Sequence, residues 1–276
     1  MACYNRKEQT LACLKSLYAQ QLPQNTVLAI YLTDDHSTDG TADAVAERYP
    51  DVEILNGSGN LFWVGGMRNS WNAALAGNYD AYLLLNDDTV LVPKALKTLI
   101  ALVQPQTCIG IGTTWDKARE IPSYGGRRLW SRRSDKSRIV YDEHVPVECD
   151  MANANIMLVP KAVVAQIGIL SSRYTQSMAD YDYVLRAKQA GFRAVVAPGI
   201  LGHCTDDHGN NWKSVKVPLK QRIAYLKSPK GLSYNEYLGF IRQHFPLYLP
   251  EVFVKLWLKT LFPVLWDKFK VKSLQH

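Results

Sequence analysis

No two cysteines in this chain form a Cys-x-x-Cys pair, and the five present (Cys3, Cys13, Cys108, Cys149, Cys204) are scattered and odd in number. That excludes a disulfide framework and a zinc ribbon and fits a reducing compartment. The phosphate-loop lysine pattern is missing too, which removes P-loop nucleotidases. Neither an internal repeat nor a low-complexity tract is found. No leader-like segment precedes the first helix-like stretch, so the Asn56-Gly57-Ser58 sequon is expected to stay unglycosylated. Excess charge of one sign is also lacking, except at one end. From Lys216 onward eleven Lys/Arg face three Asp/Glu, which accounts for more than the whole net charge of +7. The body is therefore near neutral, which argues against nucleic acid as the partner.

What is present suits an ordinary globular protein. The 276 residues are 47% hydrophobic and 21% charged, enough for one large domain with an extension. Periodicity predicts a helix from about Glu8 to Gln20, a buried strand over Val27–Leu32, a helix capped by Ser37 or Thr38 and running to Arg48, and a strand over Val52–Leu55. A helix opened by Gly65-Gly66 follows to Ala76, then a strand over Ala81–Leu85 and a helix from Pro93 to Val103. Met1 to Tyr4 reads as the end of a strand whose beginning is missing. Strand and helix thus alternate, which predicts an α/β fold with right-handed crossovers and a mostly parallel central sheet flanked by helices. Residues 115–141 read as a polar, arginine-rich loop, Val145–Pro160 as strand, Asp180–Ala190 as helix and Phe192–Ala197 as strand. The expected organisation is one α/β domain over residues 1–215 and a basic, aromatic helical extension over 216–276.

Ligands in such sheets bind beyond the carboxyl ends of the strands. Asp34-Asp35 and Asn86-Asp87-Asp88 both fall there, so they should line one crevice. A departing diphosphate needs its charge neutralised, and a hard divalent cation on carboxylate oxygens does this. Adjacent side chains diverge at a strand end, so one of Asp87 and Asp88 is expected on metal and the other on the nucleotide. Taken alone, each acidic pair reads equally well as turn or cap chemistry. Gly59 to Arg68 brings glycines and amides near a helix start, with Arg68 expected to meet a phosphate and Trp63 to touch ligand or core. Asp180 is the candidate general base, against helix capping. His203, after the last strand, is a candidate metal ligand, with Asp206, Asp207 and His208 as competitors.

Together these segments resemble the family-2 glycosyltransferases of the GT-A fold. The marks are Cys3-Tyr4-Asn5-Arg6, Asp34-Asp35-His36-Ser37-Thr38-Asp39-Gly40-Thr41, Leu85-Asn86-Asp87-Asp88, and the block from Cys149-Asp150 to Gly191. The resemblance implies inverting transfer from a nucleoside-diphosphate-sugar with Mg2+ or Mn2+. It places Tyr4 and Asp35 at the nucleotide, Asp88 and His203 on metal, and Asp180 as base. Gly59–Arg68, Asn153-Ala154-Asn155 and Ser228-Pro229-Lys230-Gly231-Leu232 are similar to a bacterial rhamnosyltransferase-like subgroup tied to cell-surface polysaccharides, which implies a glycan or lipid-linked glycan acceptor. A silent nucleotide-sugar-binding protein and a sugar-phosphate nucleotidyltransferase are the competing readings. The latter should carry a Gly-rich loop after its first strand, and Tyr4-Asn5-Arg6-Lys7 is not one.

The tail from Phe245 to Phe269 mixes Trp, Leu and Phe with Lys, and Pro250 and Pro263 interrupt it, so it is a poor membrane span. An amphipathic segment on an anionic inner leaflet is expected, against an oligomer interface or a core cover. The chain is therefore expected in the cytoplasm or peripherally on the inner face of the cytoplasmic membrane; with a lipid-linked acceptor the arginines between Arg127 and Arg138 would meet its phosphates, and a solvated loop explains them equally well.

Overall fold

The computed structural model describes residues 1–104, 107–205 and 217–264. Strand β1 (Ala2–Cys3), β2 (Ile30–Asp34) and β3 (Val52–Asn56) form a parallel sheet, with helix α1 (Lys7–Tyr18) joining β1 to β2 and α2 (Thr41–Arg48) joining β2 to β3. Helix α3 (Phe62–Leu75) leads to β4 (Ala81–Leu85), the short β5 (Val90–Leu91), α4 (Ala95–Val103) and the long β6 (Cys108–Asp116). Strand β12 (Ile156–Pro160) lies antiparallel between β4 and β6, and β13 (Arg193–His203) runs parallel to β6. Strands β4, β6 and β13 therefore share one direction. Every run expected as strand in the first hundred residues is strand, but β2 starts three residues late, at Ile30.

Two corrections concern residues 115–160. The stretch expected as loop contains β7 (Ile121–Pro122), which pairs with β6, and the hairpin β8 (Gly126–Leu129) with β9 (Ser137–Ile139). The run expected as one strand divides into β10 (Val147–Glu148), β11 (Met151–Ala152) and β12, each pairing with a different neighbour. Short strands of arginine and serine carry no hydrophobic alternation, so their pairing is invisible locally. Helix α5 (Lys161–Ile167) was not expected, and α6 (Ala179–Gln189) was.

Strand alternation sends side chains to two faces. Ile109 and Ile111 of β6 and Met157 and Val159 of β12 join one core with Val64, Met67 and Trp71 of α3 and Tyr183 of α6. Cys108, Ile156 and Leu158 join the other with Leu11 and Leu14 of α1, Val45 of α2 and Leu99 of α4. The C-terminal helices α7 (Leu219–Lys227), α8 (Tyr234–His244) and α9 (Leu249–Leu261) add Leu226, Phe240, Ile241, Val252 and Leu256 to the first core. A mostly apolar cavity of about 570 Å3 separates Ile30 and Tyr31 of β2 from β4.

Candidate active site

The carboxyl ends of β1, β2 and β4 and the amino end of the antiparallel β12 all open into one cavity of about 670 Å3. Its lining includes Tyr4, Asp35, Trp63, Asp87, Asp88 and Asp180. The apolar cavity beside β4 holds none of these groups. The acidic ends of β2 and β4, strands of two separate sheets, meet at this cavity.

The loops are knitted by backbone amides. Asn5 N–H donates to Ser37 Oγ at 2.9 Å, and Thr38 N–H donates to Asn5 Oδ1 at 2.7 Å. Asp39, not Ser37 or Thr38, serves the helix starts: its carboxylate accepts from Lys7 N–H at 3.0 Å and Thr41 N–H at 3.1 Å. Asp35 is buried and accepts from three amides, those of Gly59 (2.7 Å), Leu61 (2.9 Å) and Phe62 (3.1 Å). Phe62 has φ +52°, a left-handed conformation that a bulky side chain adopts at a cost of about 1–3 kcal/mol. The three charge-assisted bonds hold it there, so Asp35 both lines the cavity and fastens its glycine rim.

Helix α3 accordingly starts at Phe62, not at Gly65. Arg68 then lies about 9 Å along the axis from that start, and its guanidinium donates to the Leu170 carbonyl. The expectation of a phosphate contact at Arg68 is corrected: it is not among the cavity-lining residues. Trp63 does line the cavity, with its indole N–H donating to Asn86 Oδ1 at 2.8 Å.

Asp87 and Asp88 share the guanidinium of Arg6, whose Nη1 is 2.5 Å from Asp88 Oδ2 and 3.6 Å from Asp87 Oδ1. Burial, then the Asp88 charge, pushes the Asp87 carboxyl up to about 7, while Arg6 pulls it down. Asp87 Oδ2 is buried with no hydrogen-bond partner. An orphaned carboxylate oxygen beside a second carboxylate fits a hard divalent cation, which needs only one or two carboxylates when diphosphate oxygens complete its shell. Among the described residues no three His, Cys, Asp or Glu side chains group to hold a metal by themselves. His203 is not among the cavity-lining residues; from that strand end the side chain that meets Asp88 is Cys204, at 3.4 Å. Asp206, Asp207 and His208 lie outside the described residues.

Asp180 opens α6 after Met178, another non-glycine residue at positive φ (+69°). Burial pushes its carboxyl up to about 6, against the N–H groups of Tyr181 (2.9 Å) and Ala154 (3.3 Å) that favour the charged form. Asp182, two residues on, faces the interior and is bonded to Arg186, His244, Tyr174 and Gln243. Asp180 thus lines the cavity while Asp182 ties α6 to its neighbours.

Lys230, in the loop between α7 and α8, also lines the cavity, with its ammonium 5.8 Å from the Tyr4 ring centroid. The sequence singles out Ser228–Leu232 but assigns it no role. Asn153, Asn155, Gln176 and Tyr124 complete the wall. Asn153 and Asn155 belong to a segment the sequence singles out without a role, whereas Gln176 and Tyr124 carry no signal in one sequence, because isolated amides and phenols occur everywhere.

Helices flanking a mixed α/β core whose acidic strand ends open into one cavity are the arrangement of the GT-A fold. Residues 1–224 match the family model for glycosyltransferase-like family 2, and the chain belongs to that family. The N-acetylglucosaminyl-diphospho-decaprenol L-rhamnosyltransferases of two Mycobacterium tuberculosis strains, CDC 1551 / Oshkosh and ATCC 25618 / H37Rv, are each 26% identical over 213 residues, 67% of this chain and 69% of theirs. Among solved structures, a mannosyltransferase from Pyrobaculum calidifontis in complex with GDP-Man and Mn2+ has a TM-score of 0.56 at 14% identity, covering 95% of this chain and 69% of that one. TarS residues 1–349 from S. aureus, solved also with UDP, has a TM-score of 0.51 at 16% identity, covering 74% and 58%.

Proposed function

We propose that this chain is an inverting, metal-dependent glycosyltransferase that moves a sugar, in the first instance L-rhamnose, from a nucleoside-diphosphate donor to a lipid-linked glycan in cell-surface polysaccharide assembly. The observation carrying it is the cavity that joins Asp35, Asp87 and Asp88 to the raised carboxyl of Asp180. Tyr4 and the Asp35-held loop take the nucleoside. Asp88 and the free oxygen of Asp87 would hold Mg2+ or Mn2+, which when bound neutralises charge on the departing diphosphate. Arg6 and Lys230 bring further positive charge to the same wall. Asp180 accepts the proton of the acceptor hydroxyl as that oxygen bonds to the anomeric carbon and the bond to diphosphate breaks. The lipid-linked acceptor follows the activity named for the mycobacterial relatives. An acceptor of that kind would put the chain's work at the inner face of the cytoplasmic membrane.

The test is thermal shift with UDP, GDP or dTDP, each with Mn2+ or with chelator, followed by donor turnover in Asp180→Asn. One nucleotide should stabilise the chain selectively with Mn2+. The variant should keep that shift and lose transfer by about 10²–10⁴-fold. Stabilisation by no nucleotide would defeat the reading, and binding with no turnover of any donor would leave a silent binding protein.

A further inference from the structure

Helix α9 is apolar on its core side and carries a second apolar stripe turned outward. Val252, Leu256 and Thr260 face the core, while Val254, Leu258 and Leu261 stand exposed along the opposite side, extended by Phe262 and by Leu247 at 79% exposure. A soluble helix ordinarily buries such a stripe and shows its polar face to water. The β8–β9 turn lies against α8 and the residue that precedes α9. Tyr237 O–H donates to Asp135 Oδ2 at 2.8 Å, and the Lys136 ammonium sits 5.6 Å from the Tyr248 ring centroid, one residue before α9. The turn carries Trp130, 73% exposed, and the exposed cations Arg132, Arg133 and Lys136.

Apolar stripe, exposed tryptophan and adjoining cations together match the chemistry of an anionic bilayer. Aliphatic groups enter the acyl boundary, indole prefers the interface, and Arg and Lys meet lipid phosphates. The charge distribution along the chain agrees, since its positive surplus lies from residue 216 onward, the region that contains α9. No helix among the described residues is long and apolar enough to cross a membrane, so the contact would be peripheral. We propose that α9, Leu247 and the Trp130–Lys136 turn form one surface that docks on anionic lipid. Because α9 packs on α7 and α8, and the loop between those two carries Lys230, docking would hold the cavity rim at a set relation to the bilayer. This deepens the reading of a membrane-borne acceptor, yet it rests on different residues from the chemistry, so the two can fail separately.

The experiment is sedimentation of the purified full chain with vesicles of phosphatidylcholine alone or mixed with phosphatidylglycerol. The chain should pellet with the anionic vesicles and weakly with the neutral ones. Leu258→Glu with Phe262→Glu, and separately Arg132→Glu with Arg133→Glu, should each lower anionic-vesicle affinity roughly tenfold or more, with Tm and donor hydrolysis in solution unchanged. Equal binding by both double variants would overturn the proposal. So would a wild-type dimer in analytical ultracentrifugation that the α9 variant converts to monomer without any vesicle binding, which would assign the stripe to a second copy. Should the α9 variant fail to fold, the turn variant, exposed and outside the core, decides alone.

Discussion

Asp180 and Asp182 stand two residues apart on α6, and the helix turns them into different environments. For Asp180 the consequence is kinetic. Its carboxyl is pushed up to about 6, so the charged, proton-accepting form fills as pH rises through that value. The logarithm of kcat/KM should climb with unit slope below about pH 6 and level above it, as a pH–rate profile with saturating Mn2+ will show. A flat profile between pH 5 and 7 would remove Asp180 as base. Asp35 predicts a structural effect instead. Asp35→Asn keeps the shape but weakens acceptance from three amides and loosens the left-handed Phe62, so it should cost about 2–3 kcal/mol in denaturant unfolding. It should also weaken nucleotide binding, since the same loop is the cavity rim.

At the scale of elements, the decisive joint is between α6 and α8. Asp182 and His244 are each 1% exposed at the side chain, with Nε2 to Oδ1 at 2.8 Å, and Arg186 closes the other oxygen at 2.8 Å. Despite burial, hydrogen bonds from His244 and Arg186 hold the Asp182 carboxyl below its usual range. A group depressed on folding stabilises fully above its unfolded value, about 3.9, and that contribution is lost as pH falls below it. Asp182→Ala would leave His244 and Arg186 without their shared acceptor and should cost about 3–5 kcal/mol at neutral pH by urea unfolding. The difference from wild type should shrink below about pH 4. Loss of less than about 1 kcal/mol would show that the joint does not hold the helices together. Elements were also where local reading failed most clearly. The runs rich in Val, Ile and Leu were legible, while β8, β9 and β10 hold charged residues whose pairing depends on partners far along the chain.

For the whole molecule, the family match ends at residue 224, but the core does not. Phe240, Ile241, Val252 and Leu256 are buried in the same cluster as Trp71 and Tyr183, and α8 supplies His244 to Asp182. A chain ending at residue 215 should therefore aggregate or remain unfolded, visible as loss of a cooperative transition in circular dichroism. Cooperative melting near the full-length Tm would show that the extension is a separate unit.

Alternating strand and helix periods determined the α/β class from sequence alone, and the acidic pairs at strand ends marked where the cavity would be sought. Both are local: a period or a dipeptide at a strand terminus is written in consecutive residues. The surroundings of each aspartate were decided only by folding. Asp35 became an anchor because three amides converge on it, Arg68 turned to Leu170 because α3 begins earlier than its glycines suggest, and Lys230 reached Tyr4 from 226 positions away. The outward stripe of α9 has the same origin. Its composition is plain in the sequence, but burial is a property of neighbours, and only packing decides which face of a helix is left to the solvent.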